Sequence, residues 1–336
     1  MPETAAPSSQ PPREILALGV IVLAMMGFAT WDQWAIWSTK EDYTFGYLVP
    51  AFSLFVLHDR WPSLVPLLSG DSPAGPDAPR WLRGLAATLT FLCLVAFALG
   101  AAGRAIFGTG VVATLAIAFG LMGVMLGTAF LAVRGQGGSA PSGVTRWRAL
   151  GLMLFPAAIW IVSGPFLYLV DNQVKGPLLS LVTEVVAGVL RVSGQEILVR
   201  GNILEFPNGQ QVGIADACSG IRSLSACIFV GAFLGALWVE GGFPGALIRR
   251  ILLIAAAAFS AVVLNIGRNI YLTFYAGEHG AKAIDLDYAG LGPGQEGFSA
   301  LGTVHDLAGN IAMAGAFVVL LALVPLINRL GRVRER

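Results

Sequence analysis

The sequence predicts an all-α polytopic membrane protein of about eight transmembrane helices, with a short extracytoplasmic amphipathic helix and a β-hairpin before the sixth. Three observations carry that expectation. Of 336 residues, 56% are hydrophobic and only 12% are charged, where a soluble domain carries about a quarter charged residues. Apolar runs near the roughly 20 residues needed to cross a bilayer recur along nearly the whole chain. The arginines are distributed unevenly between the loops that alternate runs would place on opposite sides.

Taken in order, residues 1–13 are rich in Pro, Ser and Ala and read as a disordered cytoplasmic N-terminus. They lack the basic n-region and cleavage site of a signal peptide, so the first apolar run is expected to be retained. The expected spans are Glu14–Trp37, Thr44–His58, Trp81–Ala102, Ala105–Val133, Trp147–Val170, Ser219–Val239, Ala246–Tyr275 and Gly302–Ile327. Tryptophans at the ends of several runs (Trp37, Trp61, Trp81, Trp147, Trp238) fit an interfacial belt. No soluble domain fits between the runs. The organisation is therefore read as one integral membrane domain over 14–330, with a basic cytoplasmic tail over 331–336.

Charge placement orients this plan. With the N-terminus inside, 13 of the 21 Lys and Arg fall at inner loops, adjoining helix ends and the tail, all of them arginine. Six fall in the outer segments: Lys40, Arg104, Lys175, Arg191, Arg200 and Lys282. The positive-inside rule then puts both termini in the cytoplasm. The remaining two, Arg222 and Arg268, lie within spans.

Two outer segments are long. In 171–218, Leu178, Leu181, Val182, Val185, Val186 and Val189 recur at helical spacing with Glu184 and Arg191 opposite, predicting an amphipathic helix lying on the membrane from Pro177 to Val192. Glu196–Gly213 then reads as a β-hairpin turning at Pro207-Asn208-Gly209. The second outer segment, Gly277–Leu301, is Gly-rich and acidic and reads as a loop or lid. A net charge of +1 with no basic patch gives no reason to expect nucleic acid. Three cysteines make no disulfide framework, and Cys93 and Cys227 inside apolar runs read as small core residues. No pair of histidines has metal-ligand spacing, so neither metal nor cofactor is expected.

Three polar residues stand out against this plan. Cys218 opens the sixth span, Arg268 sits within the seventh, and His305 lies in the first turn of the eighth. All three fall near the outer face. A thiol becomes a nucleophile when an imidazole, a cation or a helix N-terminus stabilises its thiolate. An imidazole can take that proton and return it to a leaving amine, and a guanidinium in a dry site can hold an oxyanion. Arg222 one turn below Cys218, and Asn265 one turn before Arg268, fit a supporting shell. Asp216 can pair with Arg222, Ser219 is a neighbouring hydroxyl, and Asp306 reads as an N-cap more than as an orienter of His305. Each has a plainer reading: a structural thiol, a structural ion pair, a capped surface histidine.

The segment Ala215–Leu224, ADACSGIRSL, resembles the signature of the exosortase/archaeosortase family. LNIGRNI resembles its second motif through Asn265 and Arg268, and HDLAGN its third through His305, Asp306 and Gly309. The early stretch YTFGYLVPAFSLFVL is similar to the family's N-terminal part. Asp216 departs from a more common Glu, and the loop 277–301 is longer than the family leads one to expect. The resemblance implies a Cys218–Arg268–His305 triad. It implies a cysteine transpeptidase or protease of the inner membrane that cleaves exported proteins ending in a motif (often Pro-Glu-Pro), a transmembrane helix and a basic tail. The expected partners are those substrates, the lipid bilayer and an amine acceptor of unknown identity. Two rival readings stay open on the sequence. One is a non-enzymatic transporter or lipid-binding protein, and the other is a peptidase acting through Ser219 or Ser223.

Overall fold

The computed structural model describes residues 12–70, 75–163, 166–214, 221–241 and 245–332. The chain divides into two compact units, Met1–Leu167 with Glu240–Leu247, and Tyr168–Val239 with Ile248–Arg336. The first holds α1 (Arg13–Thr39), a 3-10 segment (Glu41–Leu48), α2 (Val49–Ser69), α3 (Arg80–Phe107), α4 (Val111–Leu131) and α5 (Gly143–Val162). The second holds most of α6 (Phe166–Val192), strands β1 (Leu198–Arg200), β2 (Ile203–Glu205) and β3 (Gln211–Gly213), α7 (Ile221–Trp238), most of α8 (Gly245–His279) and α9 (Val304–Arg332).

In the first unit, α3 and α4 pack through glycine. At Gly120, Gly123 and Gly127 a Cβ would collide with the backbone of Cys93, the Cys93 thiol and the Thr90 hydroxyl of α3. Small residues let helix backbones approach where no hydrophobic effect drives association. At one end of the unit, Trp37 donates to the Ser163 carbonyl at 3.0 Å and Gln33 to the Trp160 carbonyl at 3.2 Å. Side chains of α1 thus donate to carbonyls at the end of α5. Gly46 lies against the face of Trp37, where any Cβ would enter the indole ring. Also toward this end, Asp32 of α1 is fully buried and meets the Nε of Arg104 at 3.0 Å, whose guanidinium lies over Trp31. An acid buried among apolar helices needs such a partner.

Arginines gather at the opposite end. Arg146 bonds Asp77 at 2.8 Å and the Phe130 carbonyl at 2.8 Å, Arg83 meets Asp77 at 3.1 Å, and Arg134 meets Glu14. The Arg146 hydrogen bond, with Arg83 nearby, holds the Asp77 carboxyl below its ordinary range. Arg60 donates to the Leu152 carbonyl, which Pro156 leaves without its helical donor.

In the second unit, α7, α8 and α9 share a core of Cys227, Leu234, Leu253, Ala257, Ala261, Ala316 and Leu320. Gly231 admits Ala257, whose methyl would stand 2.9 Å from a Cβ there. At the far end of these helices Arg250 donates to the Gly235 carbonyl and Asn328 to the Trp238 carbonyl. A second cluster joins α6 (Leu179, Val182, Val186, Leu190) to Leu204 and Ile214 of the sheet segment and to Ile266 and Ile270 of α8.

Two expectations are corrected. The sheet is a three-stranded antiparallel meander, β1-β2-β3, rather than a two-stranded hairpin. Gly201, at φ +62°, folds the expected first strand back on itself at Gly201-Asn202. Six described helices are long and apolar enough to cross a bilayer, against the eight expected: α1, α3, α4, Gln173–Val192, α8 and Val304–Leu330. The expected second span is a 3-10 segment followed by α2, which carries His58, Asp59 and Arg60 at its middle. The expected fifth span stops at Val162, with Arg146 and Arg148 in its first turns, and α6 starts at Phe166 and continues through Pro177. From α7, Arg222–Trp238 is apolar but shorter than the others. Conversely, Gln173–Val192 is long and apolar enough to cross a bilayer, with Glu184 and Arg191 of the expected polar face exposed. Leu179, Val182, Val186 and Leu190 face protein, while Leu181 and Val185 give a second apolar surface. The chain is nonetheless a multi-pass, mainly helical membrane protein.

Candidate active site

Helix α8 positions the first candidate. Its 35 residues span about 52 Å at 1.5 Å each, against a hydrocarbon core of about 30 Å. Arg268 is three turns before the His279 end, so a centred helix puts it about one turn inside the core boundary. Asn265, Asn269 and Thr273, all buried, form a polar stripe at four-residue steps. Asn269 donates to the Asn265 carbonyl at 2.8 Å and Thr273 to the Asn269 carbonyl at 2.7 Å. Asn269 and Thr273 were not singled out from sequence, although their spacing from Asn265 was visible there.

The loop after α8 sets the second candidate. Asp287, buried, accepts backbone N–H bonds from Leu291 and Ala289 at 2.9 Å and from Ser299 at 3.1 Å. Those donors, that of Leu291 foremost, hold its carboxyl below the usual range. Gly302 then passes under the ring of Tyr288, a contact no side chain at that position would permit. Thr303 caps α9: its hydroxyl accepts the Asp306 N–H and donates to the Asp306 carboxylate, both at 3.1 Å. The first turn of α9, and His305 on it, is thereby fixed. Asp306 acts chiefly as the far half of this cap, with its other oxygen 3.7 Å from His305 Nδ1.

The two candidates meet. Arg268 Nη2 stands 2.9 Å from His305 Nε2 and 3.5 Å from the His305 carbonyl. A guanidinium carries only donors, so Nε2 accepts and the ring proton belongs on Nδ1, toward Asp306. Gly309, one turn below His305, leaves room for the guanidinium; a Cβ there would touch Arg268 Nε at 3.5 Å. Arg268 Nε is itself buried without an acceptor among the described residues. A buried charged donor left unused costs free energy that an incoming acceptor would recover.

Arg222 is exposed on the first turn of α7. Cys218, Asp216 and Ser219 lie outside the described residues. Of the other thiols, Cys227 belongs to the α7–α9 core and Cys93 packs against Gly123. Among the described residues no three His, Cys, Asp or Glu side chains are grouped to hold a metal ion.

An arginine–histidine contact on the last two helices of a polytopic chain suits acyl transfer, and comparison with protein families decides whose site it is. The family model Transmembrane exosortase (Exosortase_EpsH) matches residues 37–322. The chain belongs to the transmembrane exosortase family. Neither a curated protein nor a solved structure gives a match. As an exosortase, the chain is a membrane protein of the sorting-signal-processing class, in a family associated with cysteine-type catalysis. The match begins at Trp37, the indole that packs on Gly46, and runs through both Arg268 and His305.

Proposed function

We propose that this exosortase cleaves C-terminal sorting signals of exported proteins at the outer face of the inner membrane, with Cys218 as nucleophile, His305 as base and Arg268 as oxyanion partner. The observation that supports this most is the 2.9 Å contact between Arg268 and His305, beside a guanidinium Nε with no acceptor among the described residues. Chain length supports a nearby thiol. Cys218 is four residues past Ile214, which packs with Ile266 and Ile270 either side of Arg268, and four residues reach about 14 Å at most. It is also three residues before Ile221, the start of α7. The gathering of arginines at the Glu14 end of the first unit supports a cytoplasmic N-terminus.

In this mechanism a substrate carbonyl draws Arg268 away from His305 and frees the Nε2 lone pair. Nε2 takes the Cys218 proton, and the thiolate adds to the carbonyl carbon. Arg268 holds the resulting oxyanion, with its Nε, which has no acceptor among the described residues, supplying a donor. As the carbonyl re-forms, the C–N bond breaks and the imidazolium passes its proton to the leaving amine. The substrate's N-terminal part remains as a thioester on Cys218, and its helix and basic tail depart. An amine then displaces the thiol to form a new amide, or water does so to leave a carboxylate. Asn265, Arg222, Asp216, Ser219 and Asp306 are supporting or substrate-binding groups in this reading.

The experiment is co-expression with an exported protein ending in motif, helix and basic tail, followed by mass spectrometry of its mature C-terminus. Cys218→Ala should leave full-length substrate in the membrane. Normal processing by that variant would rule the mechanism out, and the mass of the mature product separates amide transfer from hydrolysis.

A further inference from the structure

On the surface of the second unit, α8 and α9 part to form a groove of about 420 Å³. It runs along α8 from Leu264 to Tyr271 and along α9 from Val304 to Gly315, lengths of about 10 and 16 Å at 1.5 Å per residue. Its walls are cut back by small residues: Gly267 on one side, Ala308, Ala312 and Gly315 on the other. A Cβ at Gly267 would meet nothing within 4 Å, so that position opens on empty space. Arg268 lines the groove, the same guanidinium whose Nη2 holds His305 and whose buried Nε has no acceptor among the described residues.

We propose that this groove seats the transmembrane helix of the exported substrate and delivers the bond just above that helix to Arg268 and His305. The proposal rests on the site assignment made above. Small residues at successive turns of α9, Ala308, Ala312 and Gly315, allow a helix backbone to approach closely, the usual basis of helix association in lipid. A lipid chain needs neither the glycines nor a donor beside them, since it carries no acceptor for Arg268 Nε. A peptide running extended into the N-terminus of a helix does, because the carbonyls of its extended residues have no intrahelical partners. Above the groove the same face of α8 continues as Tyr271, Tyr275 and His279, at three, seven and eleven residues from Arg268. Their rings are 6.1 and 4.3 Å apart, the second pair stacked. That aromatic stripe, exposed at Tyr271 and His279 and half-buried at Tyr275, is a rail for an extended segment, the form in which a sorting motif would leave the membrane.

The test uses full-length protein carrying Cys218→Ala, so that substrate is retained uncut. A photo-cross-linking amino acid replaces Ile311 in the groove, and Phe259, exposed on α8 outside it, serves as control. The expected result is a covalent substrate adduct from 311, reduced at least tenfold from 259. Gly267→Leu, which fills the groove without a steric clash, should reduce that adduct tenfold or more. In the protein with Cys218 intact it should cut processing as much, while a small thiol reagent labels Cys218 at an unchanged rate. Adducts from 311 to lipid alone, or processing by Gly267→Leu within twofold of the parent, would overturn the proposal. Failure of the site assignment shows separately, as processing by Cys218→Ala; the groove is then judged on the 311 adduct alone.

Discussion

Replacing Arg268 tests the proposed chemistry where the structure is most specific. One nitrogen of its guanidinium, Nη2, stands 2.9 Å from His305 Nε2, and another, Nε, is buried without an acceptor among the described residues. Arg268→Gln removes the charge that would meet the oxyanion, and loss of one such donor costs about 10²–10³ in rate, roughly 2.7–4 kcal/mol. Arg268→Lys keeps the charge on a single ammonium that cannot serve His305 and a substrate oxygen together. It should lose one charge-assisted hydrogen bond, about 1.5 kcal/mol or tenfold. The assay is the first-order disappearance of full-length substrate in isolated membranes at matched enzyme level, with a melting curve in detergent to monitor folding. The order wild type, Lys, Gln is expected, with Gln at least a hundredfold down. A Gln variant within threefold of wild type, with an unchanged melting curve, would refute the assignment of Arg268 to the reacting centre.

Other consequences follow from the same structure. Arg104→Met should destabilise the first unit by about 3–5 kcal/mol because it leaves the buried Asp32 carboxylate without its partner. Asp32→Leu combined with Arg104→Met should recover most of that loss, and a double variant no more stable than the single one would show that the pair is not the cause. Gly46→Leu drives a side chain into the Trp37 indole and should cost about 1–3 kcal/mol; an unchanged melting curve would contradict the packing. The Asp287 carboxyl is held below its ordinary value of 3.8 by backbone donors. Its contribution is therefore full above that pH and lost as the pH falls through its lower folded value. Proteolytic nicking between 281 and 303 should stay constant from neutrality down to about pH 4 and rise only below it. Asp287→Ala should be nicked rapidly at every pH, and equal resistance in that variant would remove the knot from the account.

Much of this was legible in the sequence because the membrane imposes long apolar runs and makes interior charges conspicuous. Arg268 and His305 were readable as candidates for that reason, and because their motifs occur in a recognisable order. The span count was less legible. Helix α2 hides Asp59 and Arg60 among apolar neighbours, and Arg60 is spent on the carbonyl that Pro156 releases. Helix α6 buries Val182 and Val186 but exposes Leu181 and Val185 beside Glu184, a division of its apolar residues that periodicity alone does not show. The Gly201-Asn202 turn carried a standard hairpin signal and was read through as strand. The Asp32–Arg104 pair was missed although an acid inside the first apolar run was in plain view. Its partner lies 72 residues away, a pairing that only packing reveals. The knot around Asp287 was illegible for a different reason, since its donors are backbone groups of a loop with no periodicity.

The central claim is that the thiol of Cys218 takes the substrate's acyl group beside Arg268 and His305. The most direct measurement is to trap that intermediate: membranes holding enzyme and substrate are quenched in acid, and the adduct is mapped by mass spectrometry. The account predicts a thioester on Cys218, labile to hydroxylamine, that does not form with Cys218→Ala or with His305→Ala. An ester on Ser219 or Ser223, or substrate cleaved normally with no acyl group ever found on Cys218, would contradict it.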